Sequence, residues 1–330
     1  MSLKKIAQMA GTSVSTVSKV LNNTHSNCAS PQLKEKIWAA AHEIGYVPNQ
    51  NARNLKKGVV EEEKPKKITI VMARSASQEK DIFFRELYKQ LEIELFGQGL
   101  LMDSVIKADD LKKETGLDTN GIIVVGKCPD KLLKVLKSYT PNIVGIWRNP
   151  MDFEVDEIIC DGRKAAQTAV EYLVKLGHKN IGYIGECSYE SRYIGYNEAL
   201  LRSRLPINYN YIVQTDQSQE AGARAMELLL GQDELTAVLC ANDMTAAGAL
   251  EMLKKSDGKI QRKISVISID DTNKAKDTDP PLTSVHIPQK EMAHTAVFVL
   301  KDRMENGHSR PLRVEFQCLI TERKSCCRSS

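Results

Sequence analysis

The sequence predicts an α/β protein with a small helical head at its N terminus and a larger body of two sheet-containing lobes. The positive charge is concentrated at one end, because residues 1–58 carry eight lysines and arginines against Glu35 and Glu43, a net +6, while the remainder is −2. Near Ile68 the pattern also changes, from helical apolar spacing to strand-length apolar runs that alternate with amphipathic helices. A chain of 330 residues fits two or three such units.

Three helices are predicted in the head, over residues 1–47, from apolar residues that recur at helical spacing. A tight turn containing Gly11 joins the first two helices, and Ser13 is placed to cap the second. Ser30 and Pro31 begin the third helix, which ends at Gly45. The apolar stripes are, in turn, Leu3, Ile6, Ala7 and Ala10; Val17, Val20 and Leu21; and Leu33, Ile37, Ala40 and Ile44.

The outward face of the second helix is polar and carries no acid. At about 100° per residue, Ser15 and Lys19 point directly away from the apolar stripe. Thr16 and Ser18 flank them, and Val14 lies at the margin. Such a face on the second helix of a helix-turn-helix suits the major groove of DNA. The alternative is a generic three-helix bundle whose charge is a solvated face, and the missing acids weigh against it.

Residues 2–58 resemble the DNA-binding head and hinge of the lactose-repressor/galactose-repressor (LacI/GalR) family of bacterial transcription regulators. The segments that carry the resemblance are LKKIAQMAGTSVSTVSKVLNN and SPQLKEKIWAAAHEIGYVPNQNARNLKKG. By this resemblance, Val14, Ser15 and Lys19 read bases, which agrees with a lysine donating to guanine and a valine meeting a thymine methyl. The positions implied for phosphate or neighbouring contacts are Thr16, Ser18 and Asn22.

Residues 48–58 correspond to the family's hinge segment, which becomes a helix only on DNA. The segment is too short and polar for a stable isolated helix. Leu55 matches the leucine that enters the minor groove, with Ala52 and Arg53 beside it, and apolar wedging of this kind kinks a duplex. The alternative is a flexible linker with an incidental leucine. Residues 59–67 read as a charged tether.

The body, residues 68–330, is predicted to hold two Rossmann-like parallel sheets in an N-lobe (68–161 and 288–315) and a C-lobe (162–287 and 316–325). The predicted strands are ITIVMA, LLMDSVI, GIIVVG, NIVGIW, EVDEIIC, NIGYIGE, AVLCAND and ISVISIDD. Ligands of such folds bind beyond the carboxyl ends of the strands. The residues at those ends are Arg74, Ser75, Gly126, Trp147, Arg148, Asp161, Glu186, Asn242, Asp243, Asp270 and Asp271.

The resemblance extends from Gly58 to about Arg323 and implies a periplasmic-binding-protein-like effector domain. The segments that carry it include CDGRKAAQTAVEYLVKLGHKNIGYIG, TAVLCANDMTAAGALEML and ISVISIDDTNKA. The positions it implies for effector contact are Asp161, Arg192, Asn242, Asp270, Phe83 and Phe84, and the strand ends add Arg74, Ser75, Trp147 and Arg148. As alternatives, Asn242 and Asp270 cap helices, and Phe83 belongs to the core.

Two departures from the family pattern concern the effector. Arg74 stands where an acid is frequent, and Gln217 stands where an aromatic side chain often stacks on the effector. Together with Arg148 and Arg192, these changes favour an anionic effector, such as a phosphorylated sugar or an organic acid, over an ordinary neutral sugar.

The sequence predicts a cytoplasmic regulator, not an enzyme. It lacks an activated nucleophile, a P-loop and metal-ligand spacing, so no catalytic residue, metal or cofactor is predicted beyond a small-molecule effector. No transmembrane run or signal peptide is evident. An exported solute-binding protein would share the body but would have no use for residues 1–58.

The expected assembly is a homodimer that reads a near-palindromic operator on double-stranded DNA and represses transcription until an inducer binds. The end of the chain, RKSCCRSS, has no leucine heptads that would form tetramers. A regulator without an effector, answering to a protein partner, is the main alternative. The eight cysteines are expected to be reduced thiols, with only Cys326 and Cys327 exposed enough to oxidise.

Overall fold

The computed structural model describes residues 3–21, 29–44, 46, 65–73, 82–111, 116–151, 154–188, 190–256 and 263–329. The predicted hinge helix at residues 48–58 lies outside them. So do Asn22, Ala52, Arg53, Leu55, Arg74 and Ser75, and the predictions for these residues stay predictions.

The head contains the three predicted helices: α1 (Leu3–Ala10), α2 (Val14–Leu21) and α3 (Pro31–Glu43). The turn after α1 places Gly11 at a positive φ of 65°, which glycine adopts without strain. The Ser13 hydroxyl accepts a hydrogen bond from Thr16 N at 3.1 Å, and the Ser30 hydroxyl accepts one from Leu33 N at 3.3 Å. The core consists of Ile6, Ala7, Ala10, Val17, Val20, Leu21, Ile37, Ala40 and Ala41, with Leu33 and Ile44 packed against it.

The first sheet of the body has six strands in the order β11-β5-β4-β3-β1-β2. They are β1 (Lys67–Met72), β2 (Leu101–Lys107), β3 (Gly121–Val125), β4 (Ile143–Trp147), β5 (Asp156–Ile159) and β11 (Arg313–Glu315). The pairs β1–β2, β1–β3, β3–β4 and β5–β11 are parallel. The helices along this part of the chain are α4 (Ile82–Gly97), α5 (Asp130–Lys137) and α11 (Gln289–Met304), with a 3₁₀ turn at Ala108–Asp110.

The second sheet also has six strands, in the order β12-β10-β9-β8-β6-β7. They are β6 (Ile181–Gly185), β7 (Ile212–Gln214), β8 (Ala237–Cys240), β9 (Ser265–Asp270), β10 (Thr283–His286) and β12 (Leu319–Thr321). All pairs are parallel except β10–β12, which is antiparallel. The helices are α6 (Gly162–Lys175), α7 (Ser191–Arg202), α8 (Gln219–Leu229), α9 (Asp243–Lys255) and α10 (Asn273–Lys276), with a 3₁₀ turn at Tyr209–Tyr211.

The predicted fold class, a helical head followed by two Rossmann-like sheets, is confirmed. Each of the eight predicted strands is present, and sequence reasoning missed the four short strands β7, β10, β11 and β12. By Cα distances the chain forms two compact units: Met1–Gln78, Leu87–Ile146 and Ala293–Leu312; and Glu79–Glu86, Trp147–Met292 and Arg313–Ser330.

Two glycines allow close packing of α8 and α9. A Cβ on Gly222 would clash with the backbone carbonyl of Thr245, and a Cβ on Gly248 would clash with that of Gln219. The two backbones therefore approach more closely than larger residues would permit. This packing brings the start of α9 to the loop before α8, where Asn242 Nδ2 donates to the Gln217 carbonyl at 3.3 Å.

Candidate DNA-binding surface and effector site

The face of α2 opposite its buried stripe is exposed. Val14, at 40% exposure, is accessible together with Ser15 and Lys19. Thr16 and Ser18 are half-buried, and the Thr16 hydroxyl lies 2.9 Å from the Ser13 hydroxyl at the start of the helix. Neither α1 nor α2 contains an acidic residue, so this face offers small donors, an apolar contact and one cation to a polyanion.

Arg148 lies at the centre of the candidate effector site. It follows β4, and its Nη2 atom is 3.0 Å from Oδ1 of Asp270, the last residue of β9. The guanidinium group stacks over the ring of Phe83, 4.2 Å from the centroid, and lies 5.6 Å from that of Phe84. Phe83 and Phe84, the second and third residues of α4, thus pack their rings against the guanidinium group of the Arg148–Asp270 ion pair. Desolvated cation–π contacts of this kind are stabilising.

Asp270 adopts an unfavourable backbone conformation. Its φ is 123° and its side chain is only 2% exposed. Non-glycine residues avoid this region, and such strain, of order 1–3 kcal/mol, is concentrated at ligand sites. Beside it, Arg148 Nε is buried and has no hydrogen-bond partner among the described residues. A buried guanidinium N–H without an acceptor is costly, so this atom is available to a bound molecule.

Arg192 is held by the protein itself on all sides of its guanidinium group. Nε donates to Glu190 Oε1 at 3.0 Å, Nη1 to the Ala241 carbonyl at 2.6 Å, and Nη2 to Gln217 Oε1 at 3.0 Å. Only 3% of the residue is exposed. Burial opposes ionisation of Glu190, but the charge and hydrogen bond of Arg192, with the charge of Arg148, lower the pKa of this carboxyl to about 2. Arg192 and Glu190 therefore form a buried, ionised pair.

Asp161 and Asn242 cap helices. The Asp161 carboxylate accepts from Arg163 N at 2.8 Å at the start of α6, and Asn242 Oδ1 accepts from Thr245 N at 2.9 Å at the start of α9. Asn242 thus has the capping role that the alternative gave it, and its contact with an effector stays a prediction. Helix capping is not what Asp270 does, because Thr272 precedes the next helix. Capping leaves the second Asp161 carboxylate oxygen for other contacts.

Trp147 is a buried residue that supports the site. It is 3% exposed, and its indole N–H donates to Glu157 Oε1 at 3.1 Å. Glu157 also accepts from Met151 N at 2.9 Å and from Arg313 Nε at 2.5 Å. The indole therefore faces a polar network of the protein, and its position fixes the strand end from which Arg148 projects.

Two aspartates beside the site belong to the framework of the second sheet. Buried Asp243 accepts from the hydroxyls of Ser268, Ser284 and Thr272 at 2.6–2.8 Å, and burial raises its pKa. Asp271, at a φ of 54°, is more accessible. Burial opposes its ionisation but hydrogen bonds outweigh it, so the pKa of Asp271 is lowered. Its donors are His286 at 3.0 Å, Thr321 at 2.8 Å and Arg323 at 2.5 Å.

Both arginines of the described site have carboxylate partners. Arg148 is matched by Asp270, and Arg192 by Glu190, each at 3.0 Å. Sequence reasoning missed Glu190, although its position one residue before α7 is where an acid stabilises a helix N terminus. Two of the three arginines that suggested an anionic effector are thus neutralised within the protein, and Arg74 lies outside the described residues.

Neither a metal centre nor a membrane span is found in the described part of the chain. Its His, Cys, Asp and Glu residues include no group of three or more arranged to hold a metal ion. None of its helices is long and apolar enough to cross a bilayer.

Comparison with known families matches both parts of the chain. Residues 2–49 match the model of bacterial regulatory proteins of the lacI family, and residues 170–326 match the periplasmic binding protein-like domain. The HTH-type transcriptional repressor PurR of Yersinia pestis bv. Antiqua (strain Antiqua) is 29% identical over 338 residues, covering 98% of this chain and 96% of the relative. PurR of Yersinia pseudotuberculosis serotype O:3 (strain YPIII) is also 29% identical, with the same coverage.

Solved structures share the fold. The transcriptional regulator CelR in complex with cellobiose superposes with a TM-score of 0.70 at 23% identity, covering 99% of this chain and 100% of that one. The Lac repressor dimer bound to operator and the anti-inducer ONPF gives a TM-score of 0.68 at 22% identity, covering 99% of each chain.

A helix-turn-helix head followed by two Rossmann-like sheets defines a DNA-binding transcription regulator. The head thus matches the lacI family of bacterial regulatory proteins, and the whole chain is similar to HTH-type transcriptional repressors. Its named relatives are transcriptional repressors and regulators rather than enzymes.

Proposed function

We propose that this chain is a lacI-family regulator that represses transcription as a homodimer whose two heads bind the halves of a near-palindromic operator. The observation that supports this is the acid-free, exposed face of α2, with Val14, Ser15 and Lys19 accessible at once. A single helix of eight residues offers few base contacts, and two-fold symmetry doubles them. The Lac repressor, a structural neighbour, was solved as a dimer on its operator.

The hinge completes the DNA-bound state in this proposal. Leu55 enters the minor groove between the two half-sites, with Ala52 and Arg53 beside it, and the paired hinges become helical only there. Kinking a base step costs a few kcal/mol, so only operators with a deformable centre accept the wedge. Hinge folding is therefore the step that an effector can favour or oppose.

The effector in this proposal is a neutral molecule rich in hydroxyl groups, and not an anion. Both described arginines of the site already have carboxylate partners at 3.0 Å, so an anion would have to displace an internal carboxylate. A polyol instead accepts from Arg148 Nε and donates to Asp161 and Asp270. The structural neighbours CelR and a regulator from Enterococcus faecium were solved with cellobiose and ribose, both neutral sugars.

Induction follows if the effector prefers the conformation of the body in which hinge folding is disfavoured. The operator must then lower effector affinity by the same factor by which the effector lowers operator affinity. The protein acts in the cytoplasm, where the operator is, and without catalysis.

The operator proposal is tested by selecting duplexes from a random library with the full-length chain. The expected result is a near-palindrome that binds one dimer and loses most of its affinity when one half-site is scrambled. Full retention of affinity by the scrambled duplex would contradict the dimer, and the absence of any sequence preference would contradict operator recognition.

The effector proposal is tested by thermal unfolding and calorimetry with pairs of a neutral sugar and its phosphate. A ligand that binds only the native state must raise the unfolding midpoint. We expect the neutral member of a pair to bind more tightly. A preference for the phosphate would restore the anionic effector, and no response to a broad metabolite panel would favour the regulator that answers to a protein partner.

A further inference from the structure

Two cysteines that are distant in sequence are neighbours in the fold. The Sγ atoms of Cys160 and Cys318 are 3.6 Å apart, although 158 residues separate them. The register of β5 and β11 brings them together, because Ile159 pairs with Glu315 in the parallel ladder. The ladder continues one residue further, where Phe316 N donates to the Ile159 carbonyl at 2.8 Å. Backbone hydrogen bonds directly before Cys160 and two residues before Cys318 thus hold the two segments together.

The two thiols differ in burial and in acidity. Cys160 is fully buried, whereas Cys318 is partly exposed. The hydrogen bond between them raises the pKa of Cys160, and burial raises it further. The same hydrogen bond lowers the pKa of Cys318, against burial and the nearby acids. Cys318 is therefore the more accessible of the two thiols and the one that loses its proton more readily. By contrast, burial raises the pKa of Cys187 to about 11.

We propose that Cys160 and Cys318 form a reversible disulfide when the protein meets hydrogen peroxide. The Cys318 thiolate attacks the peroxide, so that the O–O bond breaks, a sulfenic acid forms on Cys318, and the leaving hydroxide takes a proton to become water. Cys160 then attacks the Cys318 sulfur. The S–S bond forms, the hydroxyl leaves with the Cys160 proton as a second water, and two electrons have passed from the thiols to the peroxide. A dithiol reductant reverses the reaction by thiol–disulfide exchange.

The bridge would join two connections of the chain at one point. Cys160 lies between β5 of the first sheet and α6, and Cys318 lies between β11 of the first sheet and β12 of the second. Cys318 Sγ is also 3.6 Å from the carbonyl oxygen of Asp161, a candidate effector residue. Oxidation would therefore alter effector binding as well, a consequence that rests on the proposed function, whereas bridge formation does not.

The test uses the full-length protein without DNA or effector. Reduced protein is treated with stoichiometric hydrogen peroxide, remaining thiols are alkylated, and peptides are mapped by mass spectrometry. We expect two thiols to be lost, a linked peptide pair containing Cys160 and Cys318, and full recovery with dithiothreitol. The variants Cys160→Ser and Cys318→Ser should form no bridge, whereas Cys187→Ser, a half-buried thiol elsewhere in the same unit, should behave as the wild type.

Three results would overturn the proposal. The first is a bridge that maps to Cys326 and Cys327 in place of Cys160 and Cys318. The second is an equal loss of thiols in Cys318→Ser and in the wild type. The third is that no thiols are reversibly lost at about a tenfold excess of peroxide. Mapping on the wild type decides the matter even if Cys160→Ser, which changes a buried position, does not fold. Because the readout is chemical, its failure is distinct from a failure to bind an operator or an effector.

Discussion

The head and the effector site present their candidate functional residues in opposite ways. On α2, Val14, Ser15 and Lys19 are exposed and lie apart from the buried stripe that holds the helix in place. In the body, Arg192 and Asp270 are 3% and 2% exposed and are bonded to other residues of the site. The head therefore separates recognition from stability, whereas the site combines them. Substitutions in the two regions should differ accordingly.

The largest effect on stability is expected from Arg192→Met. This change leaves Glu190 buried without its partner, and breaking a buried ion pair costs about 3–5 kcal/mol. Urea denaturation followed by far-UV circular dichroism measures the loss in the free energy of unfolding. Arg163→Met is the matched control, because Arg163 pairs with Glu198 on the surface, with side chains 50% and 27% exposed, and should cost about 0–1 kcal/mol. Equal losses would show that the buried pair has no special role.

The next effect concerns Asp270→Asn and the response to effector. Asparagine keeps the shape and tolerates a positive φ, but it removes the charge that faces Arg148. At an effector concentration about 100 times Kd, a wild-type stabilisation of about 2.7 kcal/mol should be lost. Operator affinity without effector should be unchanged. The control is Asp277→Asn, which alters an exposed aspartate further along the chain from Asp270. This variant should keep the full response. An undiminished response in Asp270→Asn would remove this residue from the site.

Lys19→Ala should cost about 1–3 kcal/mol of operator affinity at one base pair, with the free energy of unfolding changed by less than about 0.5 kcal/mol. Fluorescence anisotropy on operators mutated position by position measures both affinity and specificity. Lys36→Ala, which removes an exposed lysine of α3, should leave the base preference intact. A uniform loss for Lys19→Ala across all sequences would indicate a phosphate contact instead.

The smallest effect is expected from His286→Gln, and it should depend on pH. The hydrogen bond to Asp271 raises the pKa of His286 above its ordinary value of about 6.5. Protonated His286 therefore stabilises the fold at pH values below the pKa of this histidine in the unfolded chain. The contribution disappears as the pH rises through the higher pKa of His286 in the folded protein. Because His286 is 44% exposed, the difference in unfolding midpoint from wild type should be small at about pH 5.5 and vanish near about pH 8.5. A larger difference at the higher pH would contradict the assignment.

The helices of the head and eight strands of the body could be predicted from the sequence because their signals are local. Helical spacing identified Val17 and Val20 as buried, and Ser13 and Ser30 cap their helices as predicted. Apolar runs located eight strands. The four missed strands have only three or four residues, too few to show a period, and they depend on neighbours distant in sequence.

The partners within the effector site could not be predicted in the same way. The positions of the strand ends drew attention to Arg148 and Asp270, but not to the ion pair between them, because 122 residues separate the two side chains in sequence. Glu190 was not singled out in the sequence, yet its carboxylate is the ion-pair partner of Arg192. Nor did the sequence reveal that the indole of Trp147 donates to Glu157 inside the protein. Charges counted along a chain do not reveal which of them cancel.

The strands β11 and β12 have a consequence for synthesis of the protein on the ribosome. Each is the edge strand of one sheet, and both come from the last 18 residues, 313–330. Domains fold from the N terminus as the chain emerges, so the head, whose helices contact one another locally, can form long before either sheet is closed. A polypeptide truncated before residue 313 would therefore contain all three helices of the head but neither of these edge strands.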